Sequence, residues 1–232
     1  MMKNKSNKYR HEYKYFISDS EAAILRKRIE KLMPLDKHVG PSGVYLITSL
    51  YFDDYYDSCL TENENGTDPR EKLRIRIYNH DTSRIRLECK RKERGKTLKR
   101  SARISKEQVE DIINGQLLKY ENDIDPLLIK FGEQQRSKML VPKVIVEYER
   151  IPYIYSLGNV RVTFDRYLSS SNRIENFLSG DYMKRPVMPA GKLLLEVKFD
   201  EYLPDYLHSA LQLDNLVQTA FSKYYLCRKV GL

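Results

Sequence analysis

Tryptophan is absent from this 232-residue chain, histidine occurs four times and cysteine three times. The cysteines, Cys59, Cys89 and Cys227, have no metal-ligand spacing, and an odd number does not make a disulfide framework. Zinc modules and disulfide scaffolds are therefore excluded, and reduced, structural thiols in a cytoplasmic protein are expected. His38, His80 and His208 stand in loop or helix contexts with no partner spacing, so they carry no catalytic reading. No apolar run approaches the length of a membrane-spanning helix. The basic N-terminus, MMKNKSNKYR, is followed by no apolar stretch, so neither a membrane segment nor a signal peptide is expected. No Gly/Pro/Ser linker or shift in composition divides the chain. The expectation is a disordered basic stretch over 1–8 and one domain over 9–232.

What the chain does have is charge and tyrosine. Charged residues make up 31%, the formal net charge is +9, the pI is about 9.3, and there are 18 tyrosines. That balance favours anionic partners. Alternating apolar and polar residues predict eight strands, over 11–17, 44–54, the two arms of 72–92, 96–105, 143–154, 159–168 and 192–200. Ser18 and Glu21 form a capping box for a helix whose stripe is Ala22, Leu25, Ile29 and Leu32. Ser105 caps a second helix that Gly115 stops, and apolar stretches over 124–140, 205–213 and 217–230 read as helical. The helix over 205–213 reads as a plug or lateral support for the sheet rather than a partner interface. Residues 62–70 and 169–189 read as irregular. The fold class is α+β, dominated by antiparallel pairing.

The stretch KLRIRIYNHDTSRIRLECKRK, 72–92, poses the functional question. Leu73, Ile75 and Ile77 alternate with Arg74, Arg76 and Tyr78. Ile85, Leu87 and Cys89 alternate with Arg84, Arg86, Glu88 and Lys90. Elsewhere Glu12-x-Lys14, Glu88-x-Lys90 and Glu196-x-Lys198 each set a carboxylate beside an ammonium on one strand face. For one strand, a solvated outer face explains this. Repetition over most strands does not, because like charges directly opposed across a ladder are destabilising. A sheet curled so that the cationic face lines a cavity, with an anion neutralising it, explains the repetition. Arginine forks suit phosphate oxygens. Interspersed carboxylates suit Mg²⁺ or Mn²⁺ bridging to phosphate. Phosphoryl transfer needs little beyond positioning and charge neutralisation. Lys92, Arg94 and Lys96 read as a hairpin tip, and Tyr51 and Phe52 as core or cavity wall.

Taken in order, EYKY, LRIRIY, LECKRK, the lysine of KTLKR, EYER, VRVTFD, LLEVKF and FSKY resemble the VTC domain over about residues 9–229. This is the polyphosphate polymerase domain of the vacuolar transporter chaperone complex, within the triphosphate tunnel metalloenzyme (CYTH-like) superfamily. The resemblance implies an eight-stranded antiparallel β-tunnel that binds tripolyphosphate or a growing polyphosphate chain. It implies transfer of the γ-phosphate of ATP to the chain end, assisted by Mn²⁺ or Mg²⁺. Lys14, Arg74, Arg76, Lys90, Lys99, Arg150, Arg161, Lys198 and Lys223 would bind phosphates at the catalytic centre. Tyr148 and Ser222 would add hydrogen bonds. Glu12 would serve substrate binding by orienting cations, as would Asp165. Glu196 is the leading metal ligand and Glu88 the second.

The chain departs from the superfamily at its N-terminal motif, with His11 where a first carboxylate is expected. Thr219-Ala220 stands where eukaryotic polymerases carry a further lysine. With no SPX domain or membrane segment expected, it resembles stand-alone bacterial VTC-domain proteins. Two alternatives stay open: a hydrolase of tripolyphosphate or nucleoside triphosphate, and a non-catalytic polyphosphate-binding module. Nucleic acid fits the net charge but no motif.

Overall fold

Period-two alternation builds a sheet whose two faces differ in chemistry. The computed structural model describes residues 8–119, 125–212 and 216–230. Its strands are β1 (His11–Ser18), β2 (Tyr45–Asp53), β3 (Arg70–Tyr78), β4 (Asp81–Glu93) and β5 (Lys96–Arg103). They continue with β6 (Val141–Tyr155), β7 (Val160–Ser171), the two-residue β8 (Arg185–Pro186) and β9 (Lys192–Phe199). In space the order is β1-β9-β7-β6-β2-β3-β4-β5, every neighbour antiparallel, with β8 beside β7. The sheet curls until its outer strands meet. One bridge joins them, Arg10 to Thr97, with both N–H···O distances 2.9 Å.

The apolar residues of the strands turn outward, where helices cover them. Ile17, Val162, Phe164 and Leu195 pack beneath α1 (Asp19–Ile29) and α5 (Asp205–Ala210). Ile75, Leu87 and Phe52 pack beneath α3 (Lys106–Ile113) and α4 (Pro126–Lys138) through Val109 and Phe131. Ser18 and Ser105 make the expected capping boxes, with Glu21 and Gln108. A cap of this kind contributes about 0.5–2 kcal/mol. One helix lies on the other face: α6 (Lys223–Val230) sets Tyr224 and Cys227 against Tyr51, Val144, Val146 and Tyr148 inside the curl.

The structure corrects several expected boundaries. α1 stops at Ile29, so Leu32 is exposed and Met33 takes the buried place instead. Part of 62–70 is helical, since α2 (Ser58–Glu64) starts beneath the buried carboxylate of Asp53, which accepts from the N–H groups of Cys59 and Leu60. The C-terminal helix begins only at Lys223; Gln218 and Thr219 pair with the edge of β1. α5 packs with α1 outside the sheet, so its role is lateral support and the plug is α6. Residues 1–7 of the expected disordered N-terminus lie outside the described residues; Lys8 is 2.9 Å from Glu201. All three cysteines are free thiols. Among the described residues, no helix is long and apolar enough to cross a membrane.

Candidate phosphate-binding tunnel

The inward face of the curled sheet lines a cavity of about 740 Å³. Alternation decides which residues reach it. On β3 the lining set is Arg70, Lys72, Arg74 and Arg76, and on β4 it is Lys90 and Lys92, with Glu88 on the same face but buried behind Arg74. β1 contributes Glu12 and Lys14, β9 contributes Glu196 and Lys198, and β6 contributes Tyr148 and Arg150. Lys99 enters from β5, and Ser222 and Lys223 from the start of α6.

Two groups of ion pairs organise these side chains. In the first, Glu88 takes Arg74 through Nε at 2.9 Å and Nη2 at 2.7 Å, has Arg76 at 3.7 Å, and pairs with Lys99 on its other oxygen. Arg74 also donates to the Tyr51 hydroxyl at 2.7 Å, and Arg76 donates to Ser49 Oγ at 3.0 Å. Burial opposes charge on Glu88, but Arg76, Arg74 and Lys99 outweigh it and hold the carboxyl well below its usual range.

In the second group, Arg150 grips Asp165 with two bonds of 2.6 and 2.7 Å and lies 3.3 Å from Glu196. Lys198 is 3.0 Å from Glu196 and 3.8 Å from Glu12; Lys14 is 3.8 Å from Glu196 Oε1. Lys90 on β4 meets Glu12 on β1 at 2.5 Å, reaching past β5, and Lys223 meets Asp165 at 2.7 Å. Glu12 is pushed up by burial but pulled down further by Lys90 and Lys198, to about 2. Lys14 shows the opposite balance. Burial and the nearby Lys90 bring its ammonium down to about 7, despite Glu196 and Glu12.

Eight cations thus face four carboxylates in these two groups. The cross-strand register adds a row of lysines, Lys72 opposite Lys90 opposite Lys99. Without an anion such a row is repulsive. The eight cations of the two groups are held by carboxylates in geometries from which phosphate oxygens can recruit them.

The metal test falls on Glu196. Both oxygens of Glu88 are taken by cations, whereas Glu196 Oε1 has only Lys14 at 3.8 Å. Directly across the ladder from Glu196, the hydroxyl of Thr163 is buried without a hydrogen-bond partner. No group of three His, Cys, Asp or Glu residues suited to a metal occurs among the described residues. This donor set fits Mg²⁺ or Mn²⁺ held by one carboxylate together with phosphate oxygens, rather than a protein cage.

Some residues fall elsewhere. Arg161 sits at the far end of β7, 41% exposed, with its guanidinium 3.1 Å from Asp36. Arg84 and Arg86 are exposed, although Arg86 stands opposite Arg76. Tyr51 lines the cavity and Phe52 turns into the outer core against Phe131. Lys92 lines the cavity and is more than a hairpin tip. His11 is not the residue in phase with the motif: it stacks on Phe199 at 5.0 Å between ring centres. The position two before Glu12 is Arg10, which pairs with Asp200 at 3.0 Å. Lys72 and Arg70 line the cavity and are absent from the expected site, whereas Tyr51 takes the wall position expected of it. Lys72 shares the parity of Arg74 and Arg76, and that was its signal.

The family model described as the VTC domain matches residues 9–230. No curated protein matches the sequence. Among solved structures, HpAC1 from Hippeastrum is 15% identical over 97% of each chain, with a TM-score of 0.55. An adenylate cyclase candidate from Bacillus halodurans is 14% identical over 88% of this chain and 87% of its own, with a TM-score of 0.48. The HpAC1 likeness shows the same fold along nearly the whole chain.

Proposed function

The chain belongs to the VTC-domain family, and from that membership we propose that it transfers the γ-phosphoryl group of ATP to a growing polyphosphate chain. The carrying observation is the cavity wall: eight cations from six strands and α6, facing half as many carboxylates. A linear polyphosphate offers little to recognise except repeated negative charge, and this wall offers little except repeated positive charge.

In the proposed reaction a terminal oxygen of the chain attacks the γ-phosphorus. The bond to the β–γ bridging oxygen breaks, and ADP leaves with the electron pair. Charge gathers on the oxygens of the transferred group, where fixed cations stabilise it. Arg74 and Arg76 present planar forks and Lys90, Lys198 and Lys223 compact charges. Tyr148, under Lys223 at 4.6 Å and beside Arg150, fixes both by its ring face. Glu12 and Asp165 hold these cations in place until phosphate competes for them. Glu196 would hold the divalent ion, which would supply further neutralisation of the charge developing on the phosphoryl group. No nucleophilic side chain is required.

A second reading has one supporting observation, since HpAC1 is described as having a dominant triphosphatase activity. The test is incubation with ATP and Mn²⁺ or Mg²⁺, following chains on a gel together with ADP and free phosphate. Long chains with ADP support the polymerase. Phosphate without chains supports the hydrolase, and saturable polyphosphate binding with neither product supports a binding module. Glu196→Gln and Lys198→Ala should each lower turnover by roughly a hundredfold. If both leave turnover and polyphosphate affinity unchanged, the cavity is not the site.

A further inference from the structure

Nearly every strand-borne cation in the middle of the cavity has a carboxylate partner. Lys72 does not. Its ammonium donates to Asn63 Oδ1 on α2 and to Ser222 Oγ at 2.8 Å, and lies 5.5 Å above the ring of Tyr224. All three partners are neutral. Arg70, two residues before it, donates to the Thr67 carbonyl, and Lys92 stands opposite Arg70. Among the described residues, none of Arg70, Lys72 and Lys92 has an ion pair with a carboxylate. All three line the cavity. The tunnel is therefore polarised: ion pairs at its middle, bare cations toward the turn between β4 and β5.

We infer that Lys72 is a further phosphate-binding residue, taking a phosphoryl oxygen of a linear condensed phosphate at the end of the cavity that carries no carboxylate partner. The inference rests on the phosphate-binding reading of the cavity and adds a residue to it. Successive inward positions along β3 are roughly 6–7 Å apart, so Lys72 extends the row set by Arg74 and Arg76 by one further position, a reach that a linear phosphate chain covers with more than one unit. Ser222 Oγ, already in contact with the ammonium, is placed to donate to the same phosphoryl group.

Burial has a chemical consequence. Enclosed among neutral groups, with the cations Lys90, Arg70 and Arg74 facing it, Lys72 is brought down to about 7. Cys59 is the titratable group whose influence runs the other way, and burial keeps that thiol protonated up to about 12. An incoming phosphate supplies the missing counter-charge and restores the proton. Binding should therefore draw a proton onto Lys72 above neutral pH.

The test is calorimetric titration with tripolyphosphate of the wild type, Lys72→Met and Lys72→Arg, each at about pH 6 and about pH 9. Lys72→Met should bind roughly tenfold more weakly at the lower pH, and its deficit should shrink at the higher one, where the wild-type amine is neutral. Lys72→Arg, charged at both, should hold its affinity better than the wild type as the pH rises. Comparing variants at one pH cancels the titration of the ligand and of Lys14. A Lys72→Met protein that binds as tightly as the wild type at about pH 6, or a deficit that Lys72→Arg shares in full, means that Lys72 only staples α2 to α6, and overturns the inference. If Lys72→Met fails to fold, the Lys72→Arg profile decides. Wild-type protein that does not bind tripolyphosphate at all would instead sink the reading of the cavity.

Discussion

Asp165 carries two cations at once, the Arg150 fork and the Lys223 ammonium. Removing its charge strands both, and breaking a buried pair costs about 3–5 kcal/mol. Asp165→Asn should lower the urea midpoint accordingly, whereas a neutral outcome would mean water already screens the pair. The pH dependence has two opposing parts. Glu12 is held at about 2 by Lys90 and Lys198 against its burial, and Glu88, Asp165 and Glu196 are also held down by their cations. Their stabilisation is complete above the unfolded values near ~4 and is lost as pH falls toward the folded ones. Lys14 and Lys72, buried and brought to about 7, act oppositely. Between there and the unfolded value of about 10.4, the unfolded chain holds more protons, so stability rises with pH. Denaturant melts of unliganded protein should show stability rising from about pH 6 to about pH 9 and falling steeply below about pH 4. A flat curve across the upper range would show that the lysines titrate normally. At this scale alternation made Arg74, Arg76, Lys90 and Glu196 legible as one face. It did not separate Lys72, which differs from them only in having neutral partners, a fact of folding and not of spacing.

Elements were legible where their signal is local. The strands announce themselves by alternation, and α1 and α3 by Ser-x-x-Glu and Ser-x-x-Gln. α2 was hidden because its N-terminus is capped from a distance, by Asp53 at the end of β2, and its sequence SCLTENE has no apolar stripe. Asp53 also accepts from the Tyr224 hydroxyl at 2.5 Å, so one buried carboxylate fixes both α2 and α6. Asp53→Ala should cost about 2–3 kcal/mol or more. It should also weaken tripolyphosphate binding, because Ser222 and Lys223 lose their anchor. Unchanged affinity with the expected loss of stability would show that α6 docks independently. The β6–β7 turn offers a purely structural counterpart. Gly158 has φ +70°, and a Cβ there would stand 2.7 Å from the Tyr202 carbonyl oxygen. Gly158→Ala should destabilise by more than about 1 kcal/mol and leave the affinity of the folded protein unchanged, as thermal melts and titration together would show.

For the molecule as a whole, the antiparallel class, the inward cationic face and the curling of the sheet around a cavity were readable from the sequence, but which strands meet to close it was not. β1 and β5 meet through one bridge, and neither strand carries a local signal for a partner some ninety residues away. The excess of cations over carboxylates on the cavity wall also means that a bound anion would relieve repulsion within the fold. A ligand at a hundred times its dissociation constant adds about 2.7 kcal/mol of stability. Tripolyphosphate should therefore raise the melting temperature clearly at low millimolar concentration, while a monovalent anion at equal ionic strength should not.

The bridge between Arg10 and Thr97 completes a ring of hydrogen-bonded strands. A linear polymer lying inside that ring is encircled by backbone. It can leave only lengthwise, unless the two backbone bonds at the seam and the neighbouring Lys90–Glu12 contact open together. Escape time should then grow with polymer length, so long chains dissociate more slowly than short ones even where each phosphate is held no more tightly.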